Sequence, residues 1–196
     1  MTENLRYTLE PNSNYIGSYN NGETFTFSSD ESCETNGACI MNGNTAVESS
    51  GGSYDGYHYY SWYAATAGKG LPETTGDVDG SVCPSGWKLP YGYSNIASHD
   101  KTYGLLTDIY GLTTDATTVN NESGFYILQD KPFDFALSGG FDGRGHAVNA
   151  GIRGAYWQSS AYDATRGKRL IFWNPTLGPQ GNNYKYVGMA IRCVSL

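Results

Sequence analysis

Gly154-Ala155-Tyr156-Trp157-Gln158-Ser159-Ser160 is followed, after a polar interval, by Leu170-Ile171-Phe172-Trp173. Both are short runs of aromatic, β-branched and small residues bounded by turn formers, the pattern of strands rather than helices. Residues 124–128 (Gly-Phe-Tyr-Ile-Leu) and the alternating run Phe133-Asp134-Phe135-Ala136-Leu137 predict two more strands. The glycine-rich stretch 139–145 predicts a hairpin turn, and residues 187–194 predict a closing strand. Further upstream the period changes. Residues 101–110 place Leu105, Leu106 and Ile109 on one helical face, with Asp100 as cap and Gly111 as stop. Residues 59–67 predict a short helix ended by Gly68. Helices followed by a run of short strands indicate an α+β domain.

The rest of the chain is turn-rich. Residues 1–50 are polar, with one alternating segment at Glu23-Thr24-Phe25-Thr26-Phe27, and residues 43–56 are a Gly/Ser-rich loop. Residues 70–86 form a loop punctuated by Pro72, Gly76, Gly80 and Pro84, and Trp87-Lys88-Leu89-Pro90 is a short extended piece ended by proline. No internal repeat divides the chain, so residues 1–196 are expected to form one domain.

Composition excludes several function classes. Charged residues are 16% and aromatics 14%, the reverse of what a disordered chain needs. The 26 glycines and 17 tyrosines suit strands joined by loops, and tyrosine also supplies contact area at low entropic cost. Net charge is −7, and the only dense basic run is Arg166-Gly167-Lys168-Arg169, too short to carry binding to a polyphosphate, so no nucleic-acid partner is expected. No stretch approaches the roughly 18 apolar residues of a membrane span, so no membrane insertion is expected. No apolar run follows Met1-Thr2-Glu3-Asn4-Leu5-Arg6, so export is expected through a leader already removed or inside a virion.

The chemistry-bearing residues are scattered. Cys33 and Cys39 bracket a turn, Cys83 sits in Ser-Val-Cys-Pro-Ser-Gly-Trp, and Cys193 lies near the end. An even count in a glycine-rich, lysine-poor chain points to disulfides and an oxidising compartment, the alternatives being free thiols or a metal site. Zinc spacing is missing, and His58, His99 and His146 read as surface or packing residues. There is no Gly-x-Ser-x-Gly elbow and no phosphate-binding glycine loop leading into a helix. Asp77-Val78-Asp79-Gly80, with Glu73 nearby, is at best half a calcium site and otherwise a solvated turn; Asp142 is weaker still. The expectation is no cofactor, with calcium as the one candidate. Asn121-Glu122-Ser123 is a formal glycosylation triplet.

The C-terminal third is the informative part. Tyr162, Asp163, Arg166, Lys168, Arg169, Trp173, Asn174, Asn182, Asn183, Tyr184 and Tyr186 alternate closely there. Aromatics and arginine dominate binding hot spots, and asparagine adds adaptable hydrogen bonding. Aromatic faces also suit sugar rings. Against this, some aromatics of the region must fill the inward side of strands, Trp157 and Phe172 foremost.

Four motifs together carry a family resemblance: Tyr60-Ser61-Trp62-Tyr63-Ala64-Ala65-Thr66-Ala67-Gly68, Gly80-Ser81-Val82-Cys83-Pro84-Ser85-Gly86-Trp87-Lys88-Leu89-Pro90, Tyr156-Trp157-Gln158-Ser159-Ser160-Ala161-Tyr162 and Ala190-Ile191-Arg192-Cys193-Val194. Their order resembles the Fibrobacter succinogenes major paralogous domain, a bacterial surface domain, and Met1–Arg6 is similar to that family's opening segment. The resemblance spans nearly the whole chain, with residues 8–55 the least typical. It implies an α+β, C-type-lectin-like fold of the formylglycine-generating-enzyme type, with short helices and antiparallel strands. It implies that Cys83 and Cys193 face each other; such a bridge closes a loop of about 110 residues, worth about 4–5 kcal/mol in the chain-entropy model. The catalytic cysteines of formylglycine-generating enzymes have no counterpart, so no enzymatic activity is expected.

Variable proteins of diversity-generating retroelements use this same fold and carry mutable, adenine-rich codons near the C-terminus. Residues 156–190 have that composition. The family's usual Asn-Pro-Gln stretch stands here as Leu177-Gly178-Pro179-Gln180, and Trp173-Asn174-Pro175 and Arg166–Arg169 look unlike the ordinary paralogue. The resemblance therefore implies a ligand-binding display protein at a cell surface or on a virion, outside the cell, with residues 155–192 as its variable segment. Its partner would be a protein or glycan on another cell or virus. A fixed bacterial adhesin is the alternative, and a formylglycine-generating-type enzyme the remote one.

Overall fold

The computed structural model describes residues 14–16, 24–26, 40–42, 47–48, 58–67, 69–70, 74–92, 119–120, 122–130, 133–141 and 146–195. Their elements run in chain order as β1 (Asn14–Ile16), β2 (Thr24–Thr26), β3 (Ile40–Asn42), β4 (Val47–Glu48), β5 (His58–Tyr60), α1 (Trp62–Ala65), β6 (Gly76–Asp77), β7 (Trp87–Lys88), β8 (Val119–Asn120), α2 (Glu122–Gln129), β9 (Gly140–Phe141), β10 (His146–Val148), β11 (Gly154–Ala161), β12 (Arg166–Trp173), β13 (Thr176–Tyr184), β14 (Gly188–Met189) and β15 (Val194–Ser195). Most pairings are antiparallel, the architecture of an α+β or mostly-β chain; β10 with β4 is parallel.

The centre is a five-stranded sheet in the order β6-β11-β12-β13-β8. All eight residues of β11 are buried, so this strand reads as a continuous run and not as an alternation. Its two faces feed two cores. Tyr156 joins Phe125, Leu128, Phe135, Leu170, Phe172 and Leu177 on one side. Trp157 joins Tyr60, Trp62, Val82, Leu89, Met189 and Ile191 on the other. A six-stranded sheet, β3-β5-β14-β9-β10-β4, lies beyond the second core.

Two buried indoles brace the junction. Trp62 Nε1 donates to the Gln158 carbonyl at 2.9 Å, and Trp157 Nε1 donates to the Tyr60 carbonyl at 2.7 Å. Lys185 is fully buried beside them. Its ammonium donates to the carbonyls of Thr74 and Ala164 at 2.8 and 2.9 Å and lies 4.6 Å from the Trp62 ring centroid. A buried cation needs such satisfaction, since an unpaired one in low dielectric costs several kcal/mol. The Cys83–Cys193 disulfide fastens the other end, next to the pairing of β15 with β7. Cys33 and Cys39 lie outside the described residues.

Several expectations change on contact with the fold. Residues 124–128 are helical, not extended: Phe125 and Leu128 are buried while Tyr126 and Ile127 are exposed, a three-residue spacing. Residues 133–137 form no strand. Asp134 has φ +51°, which breaks extension, and the carbonyls of Phe133 and Asp134 accept from Arg192 Nη2 instead of a neighbouring strand. The expected helix at 59–67 shrinks to Trp62–Ala65, capped by Ser61 Oγ, because Tyr59 and Tyr60 belong to β5. The closing strand at 187–194 is two short strands, β14 and β15. The glycine-rich turn expected at 139–145 is narrower than its bounds, because Gly140 and Phe141 belong to β9. β9 and β10 pair across it, Phe141 with Ala147 and Gly140 with Val148. The expected helix at 101–110 lies outside the described residues, as does most of the turn itself.

Strand β13 carries Pro179, a residue that donates nothing to a ladder. It is tolerated beside the register shift that pairs Ile171 with Gly178 but Arg169 with Gly181. Gly167 of β12 has a packing reason: a Cβ there would lie 2.6 Å from Trp62 Cδ1. Alanine is ordinarily the better strand residue, yet Gly167→Ala is expected to lower stability by about 1–3 kcal/mol through overpacking. An unchanged or raised urea midpoint would show that the indole is not held against β12.

Candidate ligand-binding surface

The surface starts at the hairpin tip between β11 and β12, which Asp163 organises. Its Oδ1 accepts from the Thr165 N–H (2.8 Å), the Thr165 hydroxyl (2.9 Å) and the Arg166 N–H (2.8 Å), while Oδ2 accepts from Arg166 Nε at 2.8 Å. Aspartate suits such a turn because its short carboxylate reaches backbone donors two and three residues on. Arg166 closes an ion pair with it at 2.6 Å. Arg166 also stacks over the Tyr162 ring, 4.7 Å from the centroid, and its Nη1 reaches Asn182 Oδ1 at 3.4 Å.

Strand pairing then sorts the candidate residues by face. Arg166 pairs with Tyr184 and Lys168 with Asn182, whereas Gly167 pairs with Asn183 and Arg169 with Gly181. Paired residues share a face and neighbours alternate. Tyr162, Asp163, Arg166, Asn182 and Tyr184 thus gather at one end of the sheet. Tyr162 and Tyr184 are each half exposed, and Tyr184 stacks on Tyr186 at 5.4 Å with ring planes 10° apart. Lys168 is on that face but its stem packs along Gly92, and burial lowers its pKa while Asp77 opposes the shift.

Arg169 and Asn183 point to the opposite side. There they line a cavity of about 250 Å³ with Arg153 and Tyr186, and Tyr184, the last residue of β13, borders both the tip and this cavity. Trp173 and Asn174 stand at the far end of β12, about 20 Å from Arg166 at the usual strand rise. They meet other neighbours: Arg153 lies over the Trp173 ring at 4.9 Å, and the exposed Asn174 amide donates to the Tyr126 hydroxyl at 3.4 Å. The eleven candidates are therefore not one patch. Arg153 was missed because it precedes the aromatic-rich segment and nothing in its local sequence marks it.

The calcium candidates have local partners. Asp77 Oδ1 accepts from the Ser160 hydroxyl, and Asp79 Oδ1 accepts from the Tyr91 hydroxyl at 2.8 Å. Glu73 and Asp142 lie outside the described residues, and among the described residues no group of three or more His, Cys, Asp or Glu converges. No described helix is long and apolar enough to cross a membrane. Comparisons with family models, with curated proteins and with solved structures return no match.

The side chain of Arg166 holds the Asp163 carboxyl well below the usual carboxylate range, and the Thr165 donors add to this. A depressed folded-state pKa stabilises above the unfolded value of about 3.9, and that contribution is lost as pH falls toward the folded value. In a carbon-detected NMR titration, Asp163 is expected to stay ionised at about pH 3, where ordinary aspartates are protonated. Arg166→Ala is expected to return its midpoint toward about 3.9; a midpoint already there in the unaltered protein would contradict the geometry.

Proposed function

We propose that this chain is a ligand-binding display protein on a C-type-lectin-like scaffold, the variable protein of a diversity-generating retroelement, acting at a cell surface or on a virion. One observation carries the reading: β11 is wholly buried, whereas in the turn that follows it and along β12 and β13 exposed residues sit on the same hairpin and strands as residues that build the core. Tyr156, Trp157, Leu170, Phe172 and Leu177 are buried, whereas Tyr162 and Tyr184 are half exposed and Asn182 and Asn183 partly so. A scaffold of this kind presents side chains at little ordering cost and tolerates their exchange. The Cys83–Cys193 disulfide supports an oxidising location. The partner would be a protein or glycan on another cell or virus.

Two measurements bear on this. Combined Tyr162→Ala, Asn182→Ala and Tyr184→Ala is expected to cost no more than about 1 kcal/mol of stability, against about 3–5 kcal/mol for Trp157→Ala alone. Deep sequencing of the gene in its source population is expected to find substitutions at adenine positions within codons 155–192, at exposed positions and not at Tyr156, Trp157, Leu170, Phe172 or Leu177. A uniform segment would remove the retroelement reading and leave a fixed adhesin.

A further inference from the structure

The cavity behind Arg169 is lined by two guanidinium groups, Arg153 and Arg169, and by Asn183, Tyr184 and Tyr186. Among the described residues neither arginine makes an ion pair or a side-chain hydrogen bond, and the Nε–H of each is buried with no partner. A buried, unsatisfied donor on a charged group costs several kcal/mol. Here two cations of the same sign face one cavity, and none of the described residues that line it is a carboxylate. Burial pushes the Arg169 guanidinium down to about 10, and the neighbouring Arg153 charge pushes the same way.

We propose that this cavity receives an oxyanion carried by the ligand, a carboxylate or a sulfate or phosphate ester, held between Arg153 and Arg169. Guanidinium forks match the planar pair of oxygens on such groups and bind them in bidentate fashion. Trp173 supports the plane of Arg153 from beneath. The cavity, about 250 Å³, holds an acidic group and a body the size of one sugar ring or one short side chain. Tyr184 and Tyr186, stacked on each other, also line the cavity. The inference rests on reading this side of the sheet as the ligand-receiving surface. Under that reading, Arg153 precedes the variable segment and is a constant half of the site, while Arg169 and Asn183 are the half that diversification alters.

The test is calorimetric titration of the full chain, at fixed ionic strength, with glucuronate, inorganic sulfate and, as the neutral control, glucose. Saturable binding of an anion with no response to glucose is expected. Arg169→Gln and, separately, Arg153→Gln are each expected to weaken it at least tenfold, and Arg169→Lys to weaken it nearly as much because lysine has no fork. Should Arg169→Gln fail to fold, the partly exposed Arg153 carries the same readout. Glucuronate binding tighter than sulfate assigns the carboxylate; the reverse assigns a sulfate or phosphate ester. No saturable binding, or binding unchanged in both glutamine variants, overturns the proposal. A diversified segment with no anion effect sinks this inference alone, whereas anion binding with a uniform segment sinks only the retroelement reading.

Discussion

Two indole hydrogen bonds, Trp62 Nε1 to the Gln158 carbonyl and Trp157 Nε1 to the Tyr60 carbonyl, tie the segment around α1 to the middle of β11. Each indole is wholly buried, so each must find an acceptor inside the protein or leave a polar group unsatisfied. Because each of the two segments supplies both a donor and an acceptor, neither can slide without breaking both bonds. Trp62 then sets what β12 carries where it crosses the ring, and Gly167 is the residue that fits. Lys185, directly after β13, extends the brace to Thr74 and to the β11–β12 turn by placing its ammonium on the Thr74 and Ala164 carbonyls and near the same ring.

This brace leaves the hairpin tip outside the cores that hold the sheet together. The β11–β12 hairpin is anchored at its base by two aromatic cores, and its tip is shaped locally by one carboxylate. Side chains at the tip and on the outer positions of β12 and β13 therefore contribute little to holding the sheet together. The exceptions are instructive. Asp163, one of the candidate binding residues, has both oxygens engaged in the turn, and Lys168 lays its stem along Gly92. Both help to fix the backbone that carries Tyr162, Arg166 and Tyr184.

The electrostatics follow the same division. At the tip, Arg166 is matched by Asp163 and rests on Tyr162. Behind the sheet, Arg153 and Arg169 face a cavity with no counter-charge among the described residues. Satisfied charge shapes the turn, and the two guanidinium groups behind the sheet are the basis of the proposed anion site.

Sequence by itself determined the strands at Gly154–Ala161 and in the Leu170–Trp173 stretch, the short extended piece at Trp87–Lys88 and the candidate residues of the aromatic-rich third. These are written in local residue chemistry: apolar runs, turn formers and composition. Resemblance to a family added the pairing of Cys83 with Cys193. Tertiary structure alone decided that residues 122–129 coil, that residues 133–137 give their carbonyls to Arg192, and that Pro179 sits inside a strand beside a register shift. It alone decided which side of the sheet each candidate faces, splitting eleven residues among the hairpin tip, the cavity and the far turn, and it alone brought Arg153 to Arg169. The physical reason is that register and long-range contact are set by partners distant in the chain. A one-residue shift in pairing moves every side chain of a strand to the opposite face, and no local pattern records which partner will come.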